Sequence, residues 1–115
     1  MTARDMPYTR TKTAMRKAAT EREPVRIRGT IVATGGGYSG PYKNVWLLVS
    51  TAAGRIQVTA GTKSPLGTMA VGTRVDLAAQ LTGMYDLSAD TYYASHARLI
   101  TSGADTSQRD RSRAM

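Results

Sequence analysis

Side chains able to stack, to pair with an anion and to hydrogen-bond occur together in residues 45–60, VWLLVSTAAGRIQVTA. Trp46 offers a large flat ring, Arg55 a planar cation, and Gln57 an amide that both donates and accepts. Aromatic rings stack on other rings, and guanidinium groups pair with carboxylates and phosphates through two hydrogen bonds. The stretch therefore predicts a surface that stacks on a ligand and places positive charge beside it.

These side chains share one surface only if the stretch folds as a β-hairpin with its turn at Ala52 and Ala53. The pairs are then Val49 with Ile56, Leu47 with Val58, and Val45 with Ala60. Directly opposed residues point to the same face of a sheet, so this apolar face is predicted to be the core. The opposite face carries Trp46, Leu48, Arg55, Gln57 and Thr59. A register shifted by one residue would instead turn Trp46 inward.

Arginines on the preceding predicted strand add to this charge. Arg26 and Arg28 alternate with apolar residues, which places both on the outer side of the strand. Each alone is typical of a solvated surface, but together with Arg55 they favour a binding role. Further candidates for binding are Lys63, Tyr85, Tyr92 and Arg98.

Two adjacent tyrosines, Tyr92 and Tyr93, must point to opposite faces of the last predicted strand. One of them is expected in the core and the other is available for stacking, and the sequence leaves open which is which. Strict alternation places Arg98 on the same face as Tyr92.

The glycine-rich stretch 35–43 carries Tyr38, Tyr42 and Lys43. It is interpreted either as a flexible connector or as a flap whose tyrosines and lysine close on a ligand. It does not match a P-loop, because Pro41 stands where that motif needs its lysine.

Composition narrows the class of partner. The chain has 115 residues, a formal net charge of +8 and no cysteine, with a sequence pI of about 10.3. This charge favours an anionic partner, and the lack of cysteine excludes disulfides and thiolate metal sites. The longest aliphatic and aromatic run is too short to span a bilayer, and the N-terminus lacks the apolar segment of a secretory signal. A cytoplasmic protein with no membrane partner is expected.

Three regions are predicted along the chain. Residues 1–23 form a basic arm, residues 24–101 a β domain, and residues 102–115 a disordered tail. Residues 9–23 could form a helix whose apolar stripe is too narrow to bury well, so this arm is expected to be mobile or ordered by a partner. The stripe consists of Ala14, Met15, Ala18 and Ala19.

The β domain contains five predicted strands. They are residues 25–33, the two arms of the hairpin, residues 73–81 and residues 91–100. Gly29 marks a bend in the first strand, and Pro65 and Gly67 leave room for only a short helical turn between the third and fourth.

The segments VRIRGTIV, VWLLVSTAAGRIQVTA, AVGTRVDLAAQLTG and YYASHARLI resemble, in order and spacing, those of the nucleic-acid-binding OB-fold. The resemblance implies an all-β, five-stranded Greek-key barrel that holds a single strand across its second and third strands. More distantly, the chain is similar to the single-stranded-DNA-binding proteins of bacteria and phages. It lacks the acidic C-terminal tip of the bacterial proteins.

Catalysis and cofactor binding have little support in the sequence. His96 is the only histidine and has no clear carboxylate partner. Asp86 and Asp90 could meet on one loop, but two acids without a third ligand make a weak metal site. An enzyme is the least expected class, and no cofactor is expected.

The sequence therefore predicts a protein that binds single-stranded DNA with little sequence preference, in replication, recombination or repair of a bacterial, phage or plasmid genome. Trp46 and a loop tyrosine would stack on bases, while Arg26, Arg28, Arg55 and Lys43 would meet phosphates. Two alternatives stay open: an OB-fold protein-interaction or structural subunit, and an RNA-binding OB domain. A homo-oligomer, or a protein partner held through the N-terminal arm, fits the same residues.

Overall fold

The computed structural model describes residues 5–39 and 42–102, with the backbone alone at 37–39, 42, 43, 101 and 102. One α-helix precedes five strands. The helix α1 spans Lys12–Glu21, and the strands are β1 (Pro24–Ser39), β2 (Tyr42–Thr51), β3 (Gly54–Gly61), β4 (Arg74–Asp86) and β5 (Thr91–Ser102). A single 3₁₀ turn, Leu66–Thr68, lies between β3 and β4, as predicted. Neither helical segment of the described residues is long and apolar enough to cross a membrane.

The five strands close into a barrel in the order β1-β2-β3-β5-β4. Strands β3 and β5 are parallel, and the other neighbours are antiparallel. Because β1 pairs with both β2 and β4, the sheet has no open side. This order confirms the predicted all-β, five-stranded barrel of the OB type.

The barrel closes through a bend in β1. Residues 24–30 pair with β4, residues 29–39 pair with β2, and Gly29 pairs with both Thr51 and Val75. A Cβ atom on Gly29 would lie 2.3 Å from the carbonyl oxygen of Ser50, so only glycine fits here. A bulge follows between Ile31 and Ala33. Such irregularities bend a strand sharply, and the predicted bend at Gly29 is confirmed.

The β2–β3 hairpin has the predicted register. Val49 pairs with Ile56, Leu47 with Val58, and Val45 with Ala60. The first two of these pairs are fully buried, and β4 adds the buried residues Val75, Leu77, Ala79 and Leu81 to the core. The core therefore lies inside the barrel, on the face that the alternation of aliphatic residues predicted.

Helix α1 packs on the barrel and contributes to its core. Its N-terminus is capped by Thr11, whose side chain accepts a hydrogen bond from the Ala14 amide. Met15, Ala18 and Ala19 are buried in the same cluster as the barrel residues. The expectation that this stripe is too narrow to bury is therefore wrong, because the barrel supplies the rest of the apolar surface that the helix lacks.

The described residues of the glycine-rich stretch, 35–39 and 42–43, lie in β strands. The β1–β2 ladder continues from the pair Gly35 with Trp46 to the pair Ser39 with Tyr42, so both strands extend through the stretch. The interpretation as a flexible connector is corrected accordingly, whereas the flap whose tyrosines and lysine close on a ligand stays a prediction. Successive cross-strand hydrogen bonds hold this ribbon, so glycines in it do not imply a loop.

Candidate functional site

Trp46 projects from the outer face of the barrel. On β2 it alternates with the buried Leu47, and it lies between Gly35 on β1 and Thr59 on β3. A Cβ atom on Gly35 would lie 2.6 Å from three atoms of the indole ring, so the ring occupies the space that any other side chain at that position would fill. Trp46 is half-buried, so part of its surface is exposed to solvent.

A second aromatic residue lies on the same surface. Leu48 pairs with Gln57 across β2 and β3, and Gln57 pairs with Tyr93 across the parallel β3 and β5. Tyr93 is half-buried. Its strand β5 is separated from the β2 strand of Trp46 by β3, which corresponds to about 10 Å across the sheet. The Trp46 face is defined here as Trp46, Leu48, Arg55, Gln57, Thr59 and Tyr93.

Of the two adjacent tyrosines, Tyr92 lies in the core and Tyr93 lies on the outer surface. Tyr92 is 1 % exposed and lies in the core, so its predicted role in binding is wrong. The ring of Tyr85 packs against it, with centroids 6.0 Å apart and planes at 41°, while remaining 44 % exposed itself. Alternation identified the two options, but only the pairing of β5 decides between them.

Arg98 lies on the opposite side of β5 from Tyr92, which corrects the predicted shared face. His96 has a φ of 51°, and this left-handed residue interrupts the alternation. Ala94 and Ala97 consequently both pack towards the core, three positions apart. Arg98 is exposed on the outer surface.

Arg55 and Lys63 are exposed cations on β3 and in the turn after it. Arg55 is exposed at the start of β3, where its backbone amide donates to the carbonyl of Asp90 at 2.8 Å. Lys63 is exposed in the turn that follows β3. The side chains of Tyr38, Tyr42 and Lys43, also predicted for this site, lie outside the described residues.

Arg74, which the sequence reasoning missed, shares a row with Arg55. Ser50 pairs with Arg55 on one side and with Thr30 on the other, and Thr30 pairs with Arg74. Paired residues point to the same face, so the two arginines lie at opposite ends of one outward-facing row. Both are exposed. The alternation of Arg74 with the buried Val75 could have predicted that Arg74 faces outward. It could not have predicted that Arg74 lies beside β1.

Arg26 and Arg28 do not adjoin Trp46. They lie on the half of β1 that pairs with β4, nine and seven positions from Gly35. Arg26 forms a two-hydrogen-bond ion pair with Asp76, at 3.0 Å from Nε to Oδ1 and 2.9 Å from Nη2 to Oδ2. Its Nη1 also donates to the carbonyl of Met6 at 3.3 Å. Arg26 therefore joins elements of the fold, in contrast to the predicted phosphate contact.

Tyr8 completes this second group of residues. Its backbone bridges to Arg26, its hydroxyl donates to Asp76 Oδ2 at 2.6 Å, and its ring has three guanidinium groups around it. The guanidinium carbons of Arg26, Arg28 and Arg10 lie 4.3, 4.4 and 5.6 Å from the ring centroid. We name this group the Tyr8 cluster: Tyr8, Arg10, Arg26, Arg28 and Asp76.

Ionisation within the Tyr8 cluster follows from burial and charge. Burial alone would raise the pKa of Asp76, but hydrogen bonds from Arg26 and Tyr8 and attraction to both nearby arginines outweigh it, and the pKa lies below its ordinary value. For Tyr8, burial and the hydrogen bond to the Asp76 carboxylate raise the pKa above its ordinary value. At neutral pH, Asp76 is therefore charged and Tyr8 is neutral.

Of the residues considered for catalysis, Asp86 and Asp90 make contacts that stabilise the fold, and His96 is exposed. Asp86 Oδ1 accepts hydrogen bonds from the Ser88 hydroxyl and from the amides of Ser88 and Ala89, which shapes the β4–β5 turn. Asp90 pairs with Lys12 at 3.1 Å. His96 is exposed at the irregularity in β5.

Chemically, the Trp46 face offers two aromatic rings, an amide, a hydroxyl and a guanidinium group. Such a face can stack on flat rings and attract an anion beside them. Comparisons with known proteins assign the chain to no family. No protein-family model, curated protein or solved structure matches it. The candidate site is therefore defined by the residues and geometry of this chain itself.

Proposed function

We propose that the protein binds single-stranded DNA, with little sequence preference, through the Trp46 face. The observation that carries the proposal is the outward position of Trp46, half-buried on the barrel surface and supported by Gly35. Tyr93 and Arg55 extend this surface in directions where a second base and a phosphate would lie. The net charge of +8 favours the same class of ligand.

Stacking accounts for tight binding without sequence readout. A base stacked on an aromatic side chain contributes about 1–3 kcal/mol, and every base has a flat face to offer. Stacking on Trp46 and Tyr93 uses this flat face and does not read the base edges. In a duplex the base faces are covered by their neighbours, so a stacking surface favours single strands.

The test compares Trp46→Ala with Tyr85→Ala, using a fluorescently labelled oligo-dT and its anisotropy. Tyr85 is the matched control because its ring is exposed but lies off the Trp46 face. Trp46→Ala is expected to weaken binding about tenfold or more, and Tyr85→Ala by less than about twofold. Equal affinity of both variants, with folding intact, would remove the stacking role. Competition by oligo-U of the same length distinguishes RNA from DNA.

A protein-interaction role is the second candidate, favoured by a separate surface. Met84 near the end of β4 and Leu87 in the β4–β5 turn are 67 % and 51 % exposed, and exposed apolar side chains close in sequence are a feature of protein-interaction surfaces. Salt separates the two roles. Strand binding weakens steeply as salt rises because counterions are released, whereas association through an apolar surface does not.

A further inference from the structure

We propose that a DNA strand longer than the Trp46 face continues along the outer side of β1 to a second site, where Arg10 and Arg28 bind its phosphates. Arg74 lines the path between the two. This inference rests on the proposed function, because the path starts at Trp46. The ligand at the second site is the phosphodiester backbone, whereas Trp46 binds bases.

The outer side of β1 joins the two sites. Arg28 and Thr30 lie on this side in the half of β1 that pairs with β4, and Gly35 lies beneath Trp46 in the other half. Arg28 and Gly35 are seven positions apart, which is about 23 Å of strand. One backbone therefore leads from the aromatic surface to the Tyr8 cluster.

Arg74 places charge beside the middle of this path. It lies directly opposite Thr30 on β4, and Ser50 and Arg55 continue the same row on the other side of β1. A strand that follows β1 would pass between the two exposed arginines. Negative phosphates are attracted at this crossing from both sides.

Within the Tyr8 cluster, Arg28 and Arg10 differ from Arg26. The two carboxylates at the cluster, Asp76 and Asp5, both interact with Arg26. Arg28 lies further from Asp76, with Nε to Oδ2 at 3.7 Å, and its side chain is 69 % exposed. Arg28 therefore keeps hydrogen-bond donors directed to solvent, and Arg10 is likewise exposed.

Stacking on Tyr8 prepares these two arginines for an anion. Both guanidinium groups lie over the same ring, at 4.4 and 5.6 Å from its centroid, so their carbons are at most about 10 Å apart. A cation–π contact orients a guanidinium plane while leaving its N–H donors unused. Two such groups can reach oxygens of one phosphate or of two adjacent ones, each through paired hydrogen bonds.

The experiment measures binding of two lengths of oligo-dT to the full chain and to the double variant Arg10→Ala/Arg28→Ala. The short oligomer has about 4 nucleotides, which is too short to reach from Trp46 over the ~23 Å to Arg28 and lies at the lower end of the ~4–16 nucleotides that one OB barrel covers, and the long one has about 30. The double variant keeps the pair between Arg26 and Asp76. The matched control is Arg16→Ala/Lys17→Ala, which removes the same charge from the exposed side of α1.

The double variant is expected to bind the short oligomer within about twofold of the unmodified chain, and the long one about tenfold more weakly. The slope of log affinity against log salt for the long oligomer is expected to fall by about 1.4, or ~0.7 for each lost phosphate contact. The control variant is expected to lose less than about threefold for either length.

An equal loss for both lengths, or an equal loss in the control, would overturn the second site while leaving the Trp46 face intact. Failure of the proposed function looks different, since Trp46→Ala would then leave the short oligomer bound. Arg74→Ala gives an independent variant outside the Tyr8 cluster, expected to weaken only the long oligomer, by about threefold. No length dependence in either variant would contradict the path.

Discussion

The position of Trp46 depends on the residue beside it. Gly35 lies opposite Trp46 on β1, and the indole fills the volume above its Cα atom. The ring is therefore supported by the backbone of Gly35 and is half-buried on the outer surface. A platform held in this way loses little conformational freedom when a base stacks on it, which favours binding.

Gly35→Ala tests this support directly. The added methyl group would lie 2.6 Å from the indole, so the ring must move outward. We expect the tryptophan emission to shift to longer wavelength as the ring enters water, and the affinity for oligo-dT to fall about threefold to tenfold. Fluorescence spectra and anisotropy titrations measure the two effects.

Gly36→Ala is the matched control, since a Cβ atom there meets nothing within 4 Å. It removes the same conformational freedom from the neighbouring position of the same strand. We expect unchanged emission and affinity in this variant. Identical behaviour of the two variants would mean that the indole is not held by Gly35.

At the scale of single residues, the sequence predicted what local alternation determines. The aliphatic residues Leu47, Val49, Ile56 and Val58 share one face of the hairpin, and this pattern predicted that Trp46 lies on the other face. The same rule could not choose between Tyr92 and Tyr93, because it carries no information on which strand β5 pairs with. It misplaced Arg98 because nothing in the sequence marks His96 as a left-handed residue.

Among the elements, the N-terminal segment differs most from its prediction, because its helix packs on the barrel instead of forming a mobile arm. The sequence predicted a helix there and identified its apolar stripe. It could not show that the barrel covers that stripe, because burial is a property of both partners. Met15 is fully buried, and Tyr8 adds a short bridge to β1. The predicted arm is consequently part of the domain over its described residues.

Asp76 links this segment to the barrel, because it accepts hydrogen bonds from both Tyr8 and Arg26, and Asp76→Asn tests this link. The amide cannot balance the charge of Arg26 or accept the same two hydrogen bonds. We expect the free energy of unfolding at neutral pH to fall by about 2 kcal/mol, the effect of losing charged hydrogen bonds at a mostly buried group. Urea unfolding at several pH values measures it.

The pH dependence has a definite sign. The pKa of Asp76 is lower in the folded chain, so its stabilising effect is present above the ordinary pKa near 3.8 and is lost as pH falls through the folded value. The difference in stability between the unmodified chain and Asp76→Asn should therefore shrink below about pH 4. A difference that stays constant down to pH 2 would contradict the role of the ionised carboxylate.

For the whole molecule, barrel closure decides which residues are neighbours. Sequence order placed Arg26 and Arg28 beside Trp46, on the same outer surface. The bend at Gly29 instead carries them to β4 and brings Arg74 into the row that contains Arg55. These are contacts between residues far apart in the chain, and local patterns do not determine them. The five-stranded barrel itself was predicted, because the order and spacing of the strand segments resemble those of the OB-fold.

The central claim is that DNA bases stack on Trp46, and the most direct measurement is its fluorescence during titration with short oligo-dT. Trp46 is the only tryptophan of the chain, so the signal has one source. We expect strong, saturable quenching whose midpoint agrees with the affinity from a labelled oligomer and moves to higher concentration as salt rises. Binding of the labelled oligomer with no change in Trp46 emission would contradict the claim.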